Sequence, residues 1–369
     1  MALDFVADFD RLKRVTSDCK AWPAGGKLAR CRDCGLVLTL TDAQWHADAA
    51  SIYADYMIYR QSDGLEQPIF DNITGAGQTR SAAIVKAIQQ RAALPAAGRL
   101  LDIGCGNGAF LQAFSQAFSG WDLYGCEVSK KYVSVMESIP GFKQLFTCEP
   151  TEIPGTYDVI VLVHALEHIP SPTELLRSLR AKLNPGGWLF VEVPDCVQNP
   201  YVLRVADHST HFSADMLNAV VLQAGFEQIQ SGTDWVAKEI SLIARLPAGA
   251  GPQTAARIPA PDGQAVFRGA AFLTHVLAQV DPLTRRNNFG ILGTSIAATW
   301  LDAQTEGAAK FFVDENPSCI GKQHQGRPIL AVASIPDGAA VYVALPPPMA
   351  ARVAARLHAS RPAVEFVTP

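Results

Sequence analysis

The chain has 369 residues, a formal net charge of −4 at pH 7 and no long basic run, so nucleic acid is not expected as a partner. No apolar run nears membrane-spanning length and no signal-peptide core opens the chain, so a cytoplasmic protein that does not engage membranes is expected; the eight scattered cysteines read as reduced thiols. The length is large for one hydrophobic core and predicts two or three domains.

Residues 1–50 are short of core-forming runs and carry Cys31-Arg-Asp-Cys34-Gly35, with Cys19 upstream. A C-x-x-C turn followed by glycine points two thiolates at one ion. The expectation is a zinc-binding lobe with Cys19, Cys31 and Cys34 as ligands. Thr16 stands where a further cysteine would complete the first pair, and Asp18 or His46 is left as the fourth donor. Next, Tyr53, Tyr56 and Tyr59 recur at helical spacing, which places them on one face of one helix. Packing accounts for two of them, and a phenol reaching a substrate pocket for the third.

The middle of the chain alternates strand and helix. Leu100–Ile103 reads as a buried strand, glycines follow at 104, 106 and 108, and Ala109–Phe118 reads as a helix. Trp121–Glu127 is a second strand ending in a carboxylate. A third is expected ahead of Cys148 and Glu149. Tyr157–Val163 is the fourth, followed by His164-Ala-Leu-Glu-His168. A helix over Thr173–Leu183 and a turn at Asn184–Gly187 lead to the fifth, Trp188–Val193. This order predicts a mostly parallel sheet with right-handed crossovers and a ligand beyond the carboxyl ends of the strands.

The glycine spacing is G-x-G-x-G after Asp102, which differs from the dinucleotide fingerprint. It resembles motif I of the class I S-adenosylmethionine (SAM) methyltransferases, and the run LRAKLNPGGWLFVEVP resembles their late segment. The resemblance implies a Rossmann-like SAM domain. Its turn, Gly104, Cys105, Gly106 and Gly108, would admit the amino-acid end of the cofactor. Asp102 would orient the cofactor ammonium, Glu127 would accept from both ribose hydroxyls, and His164 would line the pocket at the end of the fourth strand.

Residues 247–263, rich in Pro, Gly and Ala, read as a linker. Beyond them Ala265–Val280 is a helix, and Asn288–Ser295, Lys310–Asp314, Pro328–Val332 and Ala340–Ala344 read as strands of a second Rossmann-like lobe. Its G-x-x-G turn falls short of a dinucleotide site, although Asp314 stands where a ribose-binding acid would. The expected division is 1–50, 51–246, 247–263 and 264–369.

Cysteine lobe, SAM domain and carboxy-terminal Rossmann-like lobe, in that order, resemble the C-methyltransferases that act on nucleotide-linked keto sugars. In that family a Glu-His pair follows the fifth strand; here Asp207-His208-Ser-Thr-His211-Phe-Ser213 takes its place, with Asp207 for Glu and His211 for Tyr. The resemblance implies His208 as base, Asp207 as its orienting carboxylate and Tyr59 as a substrate-facing phenol. The chemistry suits those types. A carbon beside a ketone needs a base to form an enolate, and histidine titrates near neutrality, at about 6.5. His164 is a second candidate base. O-methylation of a sugar or another small molecule, and a non-catalytic SAM- and zinc-binding assembly protein, are the alternatives.

Overall fold

The computed structural model describes residues 2–58, 64, 66, 68–70, 77–248 and 264–369. Tyr59 and most of the 247–263 segment lie outside the described residues. Among the described residues, no helix is long and apolar enough to cross a membrane.

Seven strands form the central sheet: β1 (Gly98–Ile103), β2 (Trp121–Cys126), β3 (Phe142–Phe146), β4 (Tyr157–Val163), β5 (Leu183–Pro194), β6 (Glu227–Gly232) and β7 (Glu239–Arg245). Their order is β3-β2-β1-β4-β5-β7-β6. The first five run parallel, and β7 pairs antiparallel with both β5 and β6. Covered on both faces, β4 is almost wholly buried, which is why it reads as an unbroken apolar run. Because β7 runs against β5, its first residue, Glu239, pairs with Pro194 at the far end of β5. A carboxylate remote in sequence thereby arrives at the ligand-binding edge.

The expected turn at Asn184–Gly187 lies inside β5. The register jumps from Tyr157–Leu183 to Val159–Trp188, so the four residues are absorbed as an irregularity, with Gly186 at φ 74°. The expected tyrosine helix also differs. The helix spans Ala43–Ala54, its N-terminus capped by Asp42, whose side chain accepts from the Trp45 N–H at 2.9 Å. It ends before Tyr56, so Tyr53 and Tyr56 meet across the helix end, ring centroids 5.8 Å apart.

The amino-terminal lobe is not a separate unit. Leu3–Phe5, Leu28–Cys31 and Val37–Thr39 form a sheet whose fourth strand is Thr210–His211, from beyond β5 of the central domain. Arg204, 1% exposed, reaches into this lobe and donates to the carbonyls of Phe9, Leu12, Lys13 and Gly25. The carboxy-terminal lobe is a six-stranded sheet with Phe289–Leu292 at its centre, between Phe311–Val313 and Ala340–Val343. Trp300 of this lobe donates to the Lys13 carbonyl at 3.0 Å and stacks edgewise near Tyr201. One continuous core contains Phe9, Leu189 and Phe289 together, so the three expected parts share buried apolar surface. Asp314 is engaged locally: it accepts from Thr294 Oγ1 at 2.7 Å and from the Asn316 N–H at 2.9 Å.

Candidate active site

The glycine turn joins β1 to the helix Ala109–Ala117. Gly104, Gly106 and Gly108 all have positive φ (74°, 56° and 82°), a conformation that L side chains resist. A Cβ added at these positions would collide with Ala165, Ile58 and Met136 respectively. The glycines therefore serve close protein packing. The turn spends its donors on itself: the Gly104 and Cys105 N–H groups bond the Cys126 carbonyl at 2.8 and 3.2 Å, and the Gly106 N–H bonds Glu127 Oε2 at 3.0 Å. The Cys105 side chain is buried, with Sγ 3.7 Å from Met136 Sδ. Glu127 Oε1 accepts from the Val128 N–H at 2.8 Å, so each of its oxygens keeps capacity for one more donor.

Asp102, at the end of β1, is 1% exposed and its Oδ1 has no hydrogen-bond partner. Burial, with the Glu127 charge adding, pushes its carboxyl up to about 8. A buried acceptor lacking a donor, beside a second carboxylate, fits the ammonium and hydroxyl donors of SAM. The sign of the linkage follows. Asp102 is mostly protonated at pH 7, and an ammonium beside it favours the anion, so SAM binding at pH 7 is expected to release a proton. Calorimetry in two buffers of different ionisation enthalpy checks this, and Asp102→Asn should abolish the release. Glu127→Ala should weaken SAM binding by about 1–3 kcal/mol, the range for a charge-assisted bond.

His164 begins the segment after β4 with φ 51°, a strained conformation for a non-glycine residue. Its Nδ1 lies 3.3 Å from Glu167, and its Nε2 lies 3.7 Å from Glu192 and 3.6 Å from Glu239. Arg80 approaches Glu192 and Glu239 at 3.9 and 3.6 Å. Burial alone would lower the His164 pKa, but Glu239 and then Glu167 outweigh it and hold the imidazole above its ordinary range. Glu192 is driven to about 7, chiefly by burial, with the Glu239 charge adding. His164 is thus the centre of a buried carboxylate cluster; none of these contacts is to the glycine turn.

His168 follows on the same segment. Its Nδ1 lies 3.0 Å from the Asp207 carbonyl, 2.9 Å from Tyr53 Oη and 3.4 Å from the Asp207 carboxylate. Asp207 is fully buried and is held by Ser17, whose N–H and Oγ bond its two oxygens at 2.9 and 2.5 Å. The Asp207 carboxylate therefore faces His168 and Ser17 rather than the adjacent His208. His208 packs edgewise on the His168 ring, centroids 4.7 Å apart, and burial holds its pKa well below the ordinary value. His211 bonds Thr39 Oγ1 at 3.0 Å and is driven to about 3 by burial, which suits a structural link to the amino-terminal lobe.

The residues present do not fit the expected zinc site. Cys31 and Cys34 share the knuckle-like turn, closed by Gly35 N–H to the Cys31 carbonyl at 3.0 Å. Cys19 sits in a different turn, its carbonyl facing Gln325 of the carboxy-terminal lobe. Among the described residues, the only group of three or more His, Cys, Asp or Glu whose ligand atoms all lie within 4.8 Å of one another is Glu167, His168 and His208. The cysteine spacing was a local signal, and the chain path between residues 19 and 31 does not close it.

Several functional candidates were missed by sequence reasoning. Glu192 had a signal, a lone charge within the apolar run of β5. Glu239, Arg80 and Ser17 had none, because strand pairing and lobe docking bring them in.

Residues 77–231 match the family model of a methyltransferase domain. A ubiquinone biosynthesis O-methyltransferase of Bordetella avium is 32% identical over 166 residues, covering 38% of this chain and 66% of the relative. Another, from Pseudomonas aeruginosa, is 30% identical over 142 residues, covering 34% and 60%. The chain spans just under two thirds of the length of these curated relatives. The crystal structure of human N-acetylserotonin methyltransferase in complex with SAM is 15% identical, with a TM-score of 0.38, covering 46% of this chain and 51% of that one. Residues 77–231 are accordingly read as a methyltransferase domain. Residues before 77 and after 231 lie outside the family match.

Proposed function

We propose that the protein transfers the methyl group of SAM to a small-molecule acceptor whose carbon or oxygen acid is deprotonated by a histidine beyond β4. The observation that carries this reading is the environment of His168. Its Nδ1 faces a backbone carbonyl at 3.0 Å, which needs a donor and so places the proton on Nδ1 and the lone pair on Nε2. An Nε2 lone pair is what a general base needs. The Asp207 carboxylate, 3.4 Å from Nδ1, favours the imidazolium once the proton is taken. His208, neutral and pressed against this ring, supports its orientation in this reading. Tyr53 lies against Nδ1, and desolvation, with the Asp207 charge adding, keeps its phenol protonated.

SAM supplies an electrophilic sulfonium methyl. Asp102 and Glu127 would hold the cofactor. His168 takes the acceptor's proton, and the buried cluster around His164 excludes water and offers hydrogen-bond acceptors to a polar substrate. Holding the two reactants together supplies much of the acceleration.

For the acceptor, we infer a nucleotide-linked keto sugar methylated at carbon. The order of three parts supports it, as do the carboxylates around His164 and the Tyr53 phenol beside His168, groups that suit sugar hydroxyls. Methylation at oxygen is the second reading, favoured by the names of the relatives. The test is incubation with ¹³C-methyl SAM and a panel of nucleotide-linked keto sugars and phenols, reading by NMR whether the label bonds carbon or oxygen. A protein that binds SAM and labels none of them contradicts the proposal.

A further inference from the structure

The amino-terminal lobe supplies a residue to the reaction centre. We propose that Ser17 is a positioning residue: it fixes the Asp207 carboxylate, and through it the orientation of His168. The inference rests on the reading of His168 as base.

Ser17 offers two donors at once. Its backbone N–H bonds Asp207 Oδ1 at 2.9 Å and its hydroxyl bonds Oδ2 at 2.5 Å, across 190 residues of sequence. Two donors on two oxygens set the plane of the carboxylate, where one would leave it free to rotate. In that plane Oδ2 lies 3.4 Å from His168 Nδ1. The turn bearing Ser17 is itself braced. Asp18 Oδ1 accepts from Thr16 Oγ1 at 2.6 Å, Asp18 Oδ2 accepts from the Met57 N–H at 3.2 Å and pairs with Lys20 at 3.2 Å, and Tyr56 Oη lies 3.4 Å from Ser17 Oγ. Docking is enforced from the other side, because Thr210–His211, three residues beyond Asp207, is a strand of the amino-terminal sheet. A fully buried carboxylate beside a base would otherwise lack donors for its second oxygen, a costly state. The charged and titratable groups near this centre include Tyr53, Tyr56, Asp18, Cys19, Lys20, Glu127, Glu167, His164, His208 and His211. None of them bonds the Asp207 carboxylate as Ser17 does.

Without its hydroxyl, Ser17 holds the carboxylate by the N–H alone. The carboxylate turns, Oδ2 leaves Nδ1, and the imidazolium loses its counter-charge. Ser17→Ala should therefore lower kcat about tenfold or more, on the scale of lost orienting contacts to a working histidine. The loss should fall on kcat, with KM and SAM affinity unchanged. Ser17→Thr, which keeps both donors, should restore the rate. If Ser17→Ala fails to fold, Ser17→Cys, a weak donor of similar volume, takes its place in the same measurements. A wild-type rate in the variant, or a rate loss that threonine does not rescue, overturns the inference. Activity retained in His168→Ala overturns the reading beneath it. An inactive His168→Ala beside a wild-type Ser17→Ala removes Ser17 alone.

Discussion

Replacing His168 with alanine is expected to lower turnover by roughly 10²–10⁴, the usual worth of a general base, with SAM affinity nearly intact. The expectation follows from the hydrogen bonds on its ring. In the proposed reading Nδ1 carries the proton toward the Asp207 carbonyl, 3.0 Å away, which leaves the lone pair on Nε2, and a carboxylate stands 3.4 Å from Nδ1. His208→Ala should cost less, because burial and its histidine neighbours hold His208 neutral at any pH near 7 and its own basicity is correspondingly weak. The measurement is single-turnover methyl transfer with each variant, after circular dichroism confirms the fold. A greater loss in His208→Ala than in His168→Ala would return the base to the position that the sequence motif suggested.

Replacing Arg204 with alanine should destabilise the protein by at least about 3 kcal/mol, read as a fall in the urea midpoint at unchanged slope. The guanidinium is 1% exposed and donates to four carbonyls of the amino-terminal lobe, with Phe9 stacked 4.3 Å from it. Deleting it leaves those carbonyls buried without donors and opens a void against Phe9. Burial lowers its pKa to about 9, which still leaves the group charged at neutral pH. Arg204→Lys should recover only part of the loss, since a single ammonium cannot reach carbonyls spread over residues 9 to 25. Because the same contacts seat the turn that carries Ser17, turnover should fall with the midpoint. A midpoint within about 0.5 kcal/mol of wild type would show that the lobe is held by its apolar core alone.

The central domain was legible because its signals are local. An apolar strand, a turn of glycines forced to positive φ and an acidic strand end each depend on residues within a few positions, and β1, β2 and the helix after Gly108 appear close to their expected bounds. The helix Ala265–Val280 was legible for the same reason, its apolar period being complete within the segment. Reading failed where a local pattern was ambiguous. Asn184–Gly187 has turn composition, yet it is carried through β5 as a register irregularity, because the strand resumes its pairing with β4 at Trp188. The tyrosine spacing suggested one helical face, yet the helix stops at Ala54.

The site itself divides along the same line. Asp102, the three glycines and Glu127 could be picked out by sequence, since strand geometry alone delivers them to one edge. Which carboxylate serves which histidine could not. Asp207 and His208 are adjacent in the chain, but the backbone turns between them, and the carboxylate faces His168 and Ser17, 39 and 190 residues away. The cysteine spacing keeps Cys31 beside Cys34, but Cys19 does not group with them within 4.8 Å. Glu192 meets His164 because β5 pairs in parallel with β4, and Glu239 joins them only because β7 runs antiparallel to β5 and starts where β5 ends. Sequence by itself determined the domain class and which residues meet at the carboxyl ends of the first strands, because those follow from short-range backbone chemistry. The partners of the reacting histidine and the union of the lobes were decided by tertiary structure, because buried polar groups must find donors and acceptors wherever packing brings them, whatever their separation along the chain.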